Sequence, residues 1–382
     1  MSEKQDLELG QNTIDPEAAT AISALTQAVE QWKPQLSSYI PLHGWKLYRQ
    51  AMSVPKTSGQ RRLESRNDVP FNVATLSDLA THTSKDDTVL YLAYGSNLSA
   101  ETFLGKRGIK PLSQVNIVAP SISLTFDLPG LPYSEPCFAN SRYRDDPEHK
   151  PVPGKPPYHK NAWKKGLVGV VYEVTKKDYA HIIATEGGGS GYHDVLVDCY
   201  ALEDDEDVEV PAKPDTDVFK AHTLYAHRSK SLRGDPDYAQ PSPRYLKLIT
   251  DGAAEHKLPK EYRYFLEHIR TYRATTTQQQ LGSFIFIAVW GSIFAFFFRG
   301  GAAVFLRKDG TYPKWFATFA ASVFAACWAS YDGFFMRLFG DGERTIGDDQ
   351  DMVEDKITAE DLLASEKTPL LIEQSARISK HT

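Results

Sequence analysis

Apolar residues follow two different patterns along this chain. Between residues 86 and 272 they occur in short runs separated by turns, which is typical of strands with a few short helices. The runs predict strands at 89–92, 117–119, 122–126, 166–174, 195–202 and 218–225, a short helix after Thr175, and two helices within 241–269. The middle of the chain is therefore expected to form a mixed α+β fold and not a regular series of βαβ units.

The second pattern consists of two long uncharged runs, Leu281 to Phe298 and Trp315 to Tyr331. Each has close to the ~18 apolar residues that a membrane-spanning helix needs. The simplest prediction is a transmembrane helical hairpin over 281–337 that attaches the protein to a lipid bilayer. A pair of apolar helices packed on the domain, or lying in the membrane interface, is the alternative. Basic residues flank both sides of the first run, so charge does not orient the hairpin.

These patterns divide the chain into four parts. Residues 1–85 form an N-terminal extension, partly helical from Asp15-Pro16 and partly disordered. Residues 86–275 form the main domain, and the hairpin at 281–337 follows. Residues 340–382 carry 11 acidic and 5 basic residues and are predicted to be a disordered acidic tail. A long polar stretch from Pro129 to Lys165 is expected to be an insertion, either a flexible flap or an element that controls access of substrate.

Composition excludes several classes of function. The chain has a net charge of −6, and the tail alone accounts for it, so the remainder lacks the net basic face of a nucleic-acid-binding protein. Three widely spaced cysteines and no Cys-x-x-Cys argue against a disulfide framework or a zinc site and fit a reducing compartment. The polar start of the chain has no apolar core of a signal peptide.

The clearest candidate for a binding element is the run Tyr91-Leu92-Ala93-Tyr94-Gly95-Ser96-Asn97-Leu98. A strand that ends in a glycine-rich turn can point successive backbone N–H groups into one concavity, which suits a carboxylate or an oxyanion. Gly-Ser-Asn is also common in ordinary turns. Taken alone, the run allows either interpretation.

Two further segments carry candidate residues. Glu186 follows a short predicted helix and precedes the glycine-rich run Gly187 to Gly191. A carboxylate in such a place can be partly desolvated, which suits it to proton transfer. A solvated acidic residue in a loop would have the same local sequence. Tyr245 lies in Pro241-Ser242-Pro243-Arg244-Tyr245, where its spacing from Leu248 and Ile249 indicates core packing of a helix.

Together the three segments resemble the gamma-glutamylcyclotransferase family over residues 86–270. The run 91–98 resembles its opening motif, and Glu186-Gly187 followed by Ser190-Gly191-Tyr192 resembles its catalytic glutamate and the tyrosine after it. Ser242-Pro243-Arg244-Tyr245, followed by Gly252-Ala253 and by Leu258-Pro259-Lys260-Glu261-Tyr262, resembles its C-terminal helices. The extension before residue 86 and everything after about 275 have no counterpart in the small soluble members.

The resemblance implies a β-barrel with flanking short helices, and an enzyme that releases 5-oxoproline and a free amine from γ-glutamyl amides. The substrate's own α-amine attacks its δ-carbonyl, so the substrate itself supplies the nucleophile. Glu186 would move the proton, and Tyr192 and Tyr245 would contact the glutamyl unit. The cradle for the α-carboxylate or the oxyanion would consist of Tyr91, Leu92, Ala93, Tyr94, Gly95, Ser96 and Asn97. No metal or organic cofactor is implied. The leaving group stays open among γ-glutamyl amino acids, γ-glutamylamines and glutathione conjugates.

A non-catalytic, membrane-tethered γ-glutamyl-binding or scaffold protein is the alternative from a different class. The tail adds one more signal, since Glu366-Lys367-Thr368-Pro369-Leu370-Leu371 matches an acidic dileucine sorting motif read by cytosolic adaptors. With a hairpin, a cytosolic tail would place the catalytic domain in the cytosol too. The sequence thus predicts a multi-pass protein, endomembrane or vacuolar, with its catalytic domain on the cytosolic side.

Overall fold

The computed structural model describes residues 53–71, 87–144, 158–185, 192–226, 233–296 and 314–347. Several predictions fall outside these ranges: the helix beginning at Asp15, the residue Glu186, and the sorting motif at 366–371. The described strands are β1 (Thr88–Ala93), β2 (Ser113–Ala119), β3 (Ile122–Leu131), β4 (Glu135–Tyr143), β5 (Leu167–Thr175), β6 (Tyr192–Ala201) and β7 (Val218–Ala226). The longer helices are α1 (Gly59–Glu64), α2 (Lys176–Thr185), α3 (Pro243–Glu255), α4 (Lys260–Glu267), α5 (Thr277–Phe296) and α6 (residues 314–339).

Five strands close into a barrel in the order β1-β5-β2-β6-β7. Strand β1 pairs antiparallel with β5 along its whole length and meets β7 in parallel at Tyr91 and His222. The strands are built from apolar and β-branched residues, and β5 alone buries Leu167, Val168, Val170, Val171 and Val174. The runs read from the sequence therefore mark the barrel strands correctly, and the α+β prediction agrees with the described elements.

Strands β3 and β4 form a separate two-stranded hairpin against the barrel. The sequence predicts an insertion from Pro129 onward, whereas the hairpin continues through Tyr143. Its polar residues misled the sequence interpretation because they are buried in pairs: Arg142 Nε donates to Asp127 Oδ2 at 2.8 Å, and Asn140 Nδ2 donates to Asp127 Oδ1 at 3.1 Å and to the Ala226 carbonyl at 3.2 Å. These bonds attach the hairpin to the end of β7.

Helices α5 and α6 share a second apolar core with the tip of this hairpin. Phe286, Phe324, Trp328 and Tyr331 are buried there against Tyr133, which lies between β3 and β4. Among the described residues, only α5 is long and apolar enough to cross a bilayer by length and composition. One candidate helix is weaker evidence than the predicted hairpin requires, so two spanning helices stay a prediction.

The chain after α6 returns to the main domain. The Tyr133 N–H donates to the Gly342 carbonyl at 2.7 Å, its hydroxyl donates to the Gly340 carbonyl at 2.7 Å, and the Gln240 N–H donates to the Glu343 carbonyl at 2.9 Å. The sequence predicts a disordered tail from residue 340, but the structure packs residues 340–347 on the domain. The acidic composition of the segment does not predict this packing, because it depends on Glu343 being buried beside Arg233, far away in sequence.

Candidate active site

A tight turn follows directly from β1. The strand ends at Ala93, and Ser96–Leu98 form a single turn of 3₁₀ helix preceded by Gly95. The N–H groups at the start of such a turn have no partner within it. In the part of the chain that the structure describes, the N–H groups of Gly95 and Ser96 and the Ser96 hydroxyl form no hydrogen bond. The turn therefore presents unused donors, as an anion cradle requires.

The remaining side chains of the run 91–98 hold the turn in place. Asn97 Nδ2 donates to the Tyr91 hydroxyl at 2.8 Å, and Asn97 Oδ1 accepts from Arg107 Nε at 2.7 Å. Tyr94 donates to the Leu224 carbonyl at 3.2 Å, which ties the turn to β7. The Asn97 amide is thus occupied by structural hydrogen bonds.

Helix α3 approaches the turn from the other side. Gly252 lies so close that a Cβ atom there would be 2.5 Å from the Leu98 carbonyl carbon. His256 Nε2 lies 3.1 Å from the Leu98 carbonyl oxygen and 2.7 Å from the Tyr172 hydroxyl. Burial lowers the pKa of His256 to about 4, so the ring is neutral near pH 7.

Tyr245, in the first turn of α3, brings a hydroxyl to the turn. A Cβ atom on Gly95 would lie 3.6 Å from the Tyr245 hydroxyl and 3.6 Å from Ala139 Cβ. The hydroxyl accepts the Ala139 N–H at 3.1 Å, and the ring packs edge-on against Phe138 at 5.0 Å between centroids. Two of the three motifs therefore meet, at a point where strand β4 forms a third wall.

A buried carboxylate supports this wall. Glu135 accepts the Ser242 hydroxyl at 2.5 Å and Arg244 Nε at 2.7 Å. Burial raises the pKa of Glu135, while the Arg244 guanidinium and the Ser242 hydrogen bond lower it. Ser242 also caps α3, since its hydroxyl oxygen accepts the Tyr245 N–H at 3.0 Å.

The predicted site residues divide into three groups. Gly95 faces the Tyr245 hydroxyl, and Ser96 follows Gly95 in the turn, so the role of these three residues in binding stays a prediction. Tyr91, Leu92 and Ala93 are buried in a strand that pairs on both sides, and Tyr91 packs on Phe103 and Tyr179, so these three support the turn from the core. Tyr192 begins β6. Glu186 lies outside the described residues, but α2 ends at Thr185, immediately before it.

The sequence interpretation missed Glu135 and Ala139, because both lie in the stretch read as an insertion. Ser242 and Arg244 were visible as part of a motif, and Ser-Pro at the start of a predicted helix is a recognised capping signal. Among the described residues, no group of three or more His, Cys, Asp or Glu side chains lies close enough to hold a metal ion.

Comparison with known proteins adds independent evidence. No protein-family model matches the chain. The chain is 28% identical over 268 residues to the gamma-glutamyl cyclotransferase gliK of Aspergillus fumigatus, covering 67% of this chain and 89% of that protein. It is also 28% identical over 269 residues to the gamma-glutamyl cyclotransferase aclK of Aspergillus oryzae, covering 68% of this chain and 91% of that one.

A solved structure of a gamma-glutamyl cyclotransferase is 19% identical and covers 52% of this chain and 99% of its own, with a TM-score of 0.33. A score of this size does not by itself establish a shared fold. The curated relatives, by contrast, span two thirds of the chain and agree with the family that the three motifs resemble. The chain is therefore similar to curated gamma-glutamyl cyclotransferases over about two thirds of its length.

Proposed function

We propose that this protein cleaves γ-glutamyl amides by intramolecular cyclisation and releases 5-oxoproline and a free amine. The observation that carries the proposal is that Gly95, with its unused backbone donor, faces the Tyr245 hydroxyl, which a Cβ atom on Gly95 would meet at 3.6 Å. Relatives named gamma-glutamyl cyclotransferases over most of their lengths support the same class of enzyme.

The substrate supplies the nucleophile of this reaction, and the protein supplies the remaining catalytic functions. The substrate's α-amine attacks its own δ-carbonyl carbon, a C–N bond closes the five-membered ring, and the amide C–N bond to the leaving amine breaks. Because the nucleophile is tethered, the protein has to orient the glutamyl unit, stabilise the charge on the carbonyl oxygen, and move one proton.

The N–H groups of Gly95 and Ser96, together with the Ser96 hydroxyl, are proposed to bind the α-carboxylate or the developing oxyanion. Tyr245, together with Tyr192 of the motif that contains Glu186, is proposed to contribute hydroxyl contacts to the glutamyl unit. The other five predicted residues of the run 91–98 hold the turn in position: Tyr91, Leu92, Ala93, Tyr94 and Asn97. This narrows the cradle predicted from the sequence, residues 91–97, to Gly95 and Ser96.

Glu186 is proposed to be the catalytic acid and base. It takes a proton from the α-amine as the ring closes and gives a proton to the leaving amine. Its position directly after α2 supports this role, since α2 packs against β1, the strand that leads into the turn, and against β5. No metal or organic cofactor has a part in the scheme.

Replacing Glu186 tests the proposal. The full chain, purified in detergent, should release 5-oxoproline from a panel of γ-glutamyl amino acids, γ-glutamylamines and glutathione. Glu186→Gln should lower kcat by at least ~10²-fold, the usual contribution of a positioned general base, and Glu209→Gln, at an exposed position, should leave kcat unchanged. Equal rates for wild type and Glu186→Gln would remove Glu186 from the mechanism.

The panel also decides between enzyme and scaffold. Binding of γ-glutamyl compounds without any product would favour the non-catalytic, membrane-tethered alternative. Among active substrates, the one with the highest kcat/KM identifies the leaving group, which the described residues do not specify.

We also propose that α5 and α6 attach the protein to a lipid bilayer. Phe284 and Phe296 on α5 are 73% and 76% exposed, and Trp315 on α6 is 58% exposed, which is unusual for side chains in water. A multi-pass endomembrane or vacuolar protein with a cytosolic catalytic domain, and an adaptor bound at Glu366 to Leu371, extend this proposal and rest on the sequence alone.

A further inference from the structure

The hairpin strand β4 is attached to the tyrosine-bearing helix at two points. Near its middle, the Ala139 N–H donates to the Tyr245 hydroxyl at 3.1 Å. At its start, Glu135 accepts from Ser242 and from Arg244 at 2.5 and 2.7 Å. The two attachments are four residues apart along the strand, one made by a backbone N–H and the other by a side chain. Together they fix both the start of α3 and the far end of the Tyr245 side chain.

The Glu135 contacts are specific for a carboxylate. The Ser242 oxygen already accepts the Tyr245 N–H at 3.0 Å, so its own proton is free to be donated, and Glu135 Oε2 is the acceptor. Arg244 Nε donates to Glu135 Oε1 at 2.7 Å, and Arg244 Nη2 lies 2.6 Å from the same oxygen as an ion pair. An amide in place of the carboxylate would present an NH₂ group to the Ser242 hydroxyl or to Arg244, and one donor would lose its acceptor.

The carboxylate of Glu135 is also largely buried. Its side chain is 7% exposed, whereas that of Arg244 is 35% exposed. Leaving a buried carboxylate without one of its partners costs free energy of folding, so the cluster of Glu135, Ser242 and Arg244 is held more rigidly than an ion pair on the surface. A shift of this cluster would move the Ser242 cap and, with it, the backbone of Tyr245 in the first turn of α3.

We propose that Glu135 is a positioning residue for the cyclisation: through Ser242 and Arg244 it fixes the Tyr245 hydroxyl against Gly95. The inference rests on the proposed function and deepens it, because it assigns a role to a residue outside the three sequence motifs. Glu135 does not touch the substrate. Its effect on the reaction passes through Tyr245.

A double-mutant cycle on the full chain tests this. Wild type, Glu135→Gln, Tyr245→Phe and the double variant are compared by kcat/KM for 5-oxoproline release from γ-glutamyl-alanine and by thermal unfolding. Each single substitution should lower kcat/KM by roughly tenfold or more. The double variant should be no more than about threefold worse than Tyr245→Phe, because the two substitutions remove one shared effect. Asp251→Asn, which breaks the exposed Lys247–Asp251 pair on the same helix, is the matched control and should behave as wild type.

Three outcomes would overturn the inference. If the two effects multiply in the double variant, Glu135 does not act through Tyr245. If Glu135→Gln keeps wild-type kcat/KM, it has no positioning role. If wild type releases no 5-oxoproline, the proposed function fails and the inference fails with it. Should Glu135→Gln not fold, Arg244→Gln combined with Tyr245→Phe provides the same cycle from the exposed side of the pair and is read in the same way.

Discussion

Gly95 is the glycine of the turn that faces the Tyr245 hydroxyl. A methyl group there would lie at 3.6 Å from both the Tyr245 hydroxyl and Ala139 Cβ, an ordinary contact distance. We expect Gly95→Ala to change the free energy of unfolding by less than about 1 kcal/mol and to lower kcat/KM by roughly tenfold or more, because the methyl group occupies space in front of the hydroxyl.

Steady-state kinetics and denaturant unfolding of the same preparations check this prediction. Gly234→Ala is the control, since nothing lies within 4 Å of a Cβ atom at that glycine. Wild-type kcat/KM in Gly95→Ala would show that the space between Gly95 and Tyr245 is not used by the substrate.

His256 makes stability depend on pH. Burial lowers its pKa from 6.5 to about 4 in the folded protein, so unfolding at intermediate pH takes up a proton. The stabilisation is complete above pH 6.5 and is lost as pH falls toward 4. Relative to His256→Gln, wild type should lose about 3 kcal/mol over this range. Urea unfolding at a series of pH values measures the difference.

His268→Gln is the matched control, because His268 is exposed and lies one helix further along the chain. Parallel pH profiles for wild type and His256→Gln would mean that His256 is not held neutral. Glu255 and Tyr172 face the same region, and burial raises the pKa of both groups, so the comparison has to be made between variants and not from one profile.

At the scale of elements, the central contact is that of α3 with the turn after β1. Gly252 permits it, since a Cβ atom would lie at 2.5 to 2.6 Å from the backbone of Leu98 and Ser99. Gly252→Ala should lower the free energy of unfolding by about 1–3 kcal/mol and should also lower kcat/KM, because the displaced turn carries the proposed cradle.

Thermal unfolding and kinetics of Gly252→Ala, with Gly59→Ala as the control, test this contact. Gly59 lies in α1, and a Cβ atom there meets only Arg62 Nη2, at 4.0 Å. A Gly252→Ala protein with unchanged stability and activity would show that α3 does not set the position of the turn.

The sequence predicts elements well where a pattern is local. The barrel strands have continuous apolar runs, and the helix after Thr175 has a visible cap: the Thr175 hydroxyl oxygen accepts the Asp178 N–H at 3.1 Å. The turn at Gly95 is also local. Strand β4 was missed because its burial depends on partners far away in sequence, such as the Ala226 carbonyl bonded to Asn140.

The candidate site also combines residues that local motifs predict with residues that they do not. Gly95, Ser96 and Tyr245 could be predicted from motifs, but the distance between them depends on how α3 packs against the barrel. Glu135 could not be predicted, since nothing in Ser134-Glu135-Pro136 indicates that the carboxylate is buried beside Arg244 more than 100 residues later. Long-range pairing of polar groups is the information that a single sequence lacks.

On the scale of the whole molecule, the apolar helices and the barrel domain are joined through the β3–β4 hairpin. Tyr133 at its tip packs against Phe286 and Tyr331 and bonds to residues 340 and 342. The same hairpin carries Glu135 and Ala139 at the proposed site. Cutting the chain before α5 would therefore expose the hairpin tip, and the full chain is the form to use in every assay.

The exposed face of α5 and α6 predicts association with lipid. The full chain should float with phosphatidylcholine vesicles in a density gradient and resist a high-salt wash, and the pair Phe284→Ser and Phe296→Ser should weaken flotation. Tyr264→Ser, at a side chain 55% exposed on α4, is the control and should float as wild type does. Full-length protein that stays in the soluble fraction would favour the alternative, in which the two helices simply pack on the domain.

The fate of the amide carbon tests the central claim most directly. The full chain is incubated with γ-glutamyl substrates in H₂¹⁸O, and the products are identified by mass spectrometry. Cyclisation within the substrate predicts 5-oxoproline without ¹⁸O and an equal amount of free amine, both lost in Glu186→Gln. Glutamate carrying ¹⁸O in its γ-carboxylate would show that water, and not the α-amine, attacks the carbonyl, and would contradict the account.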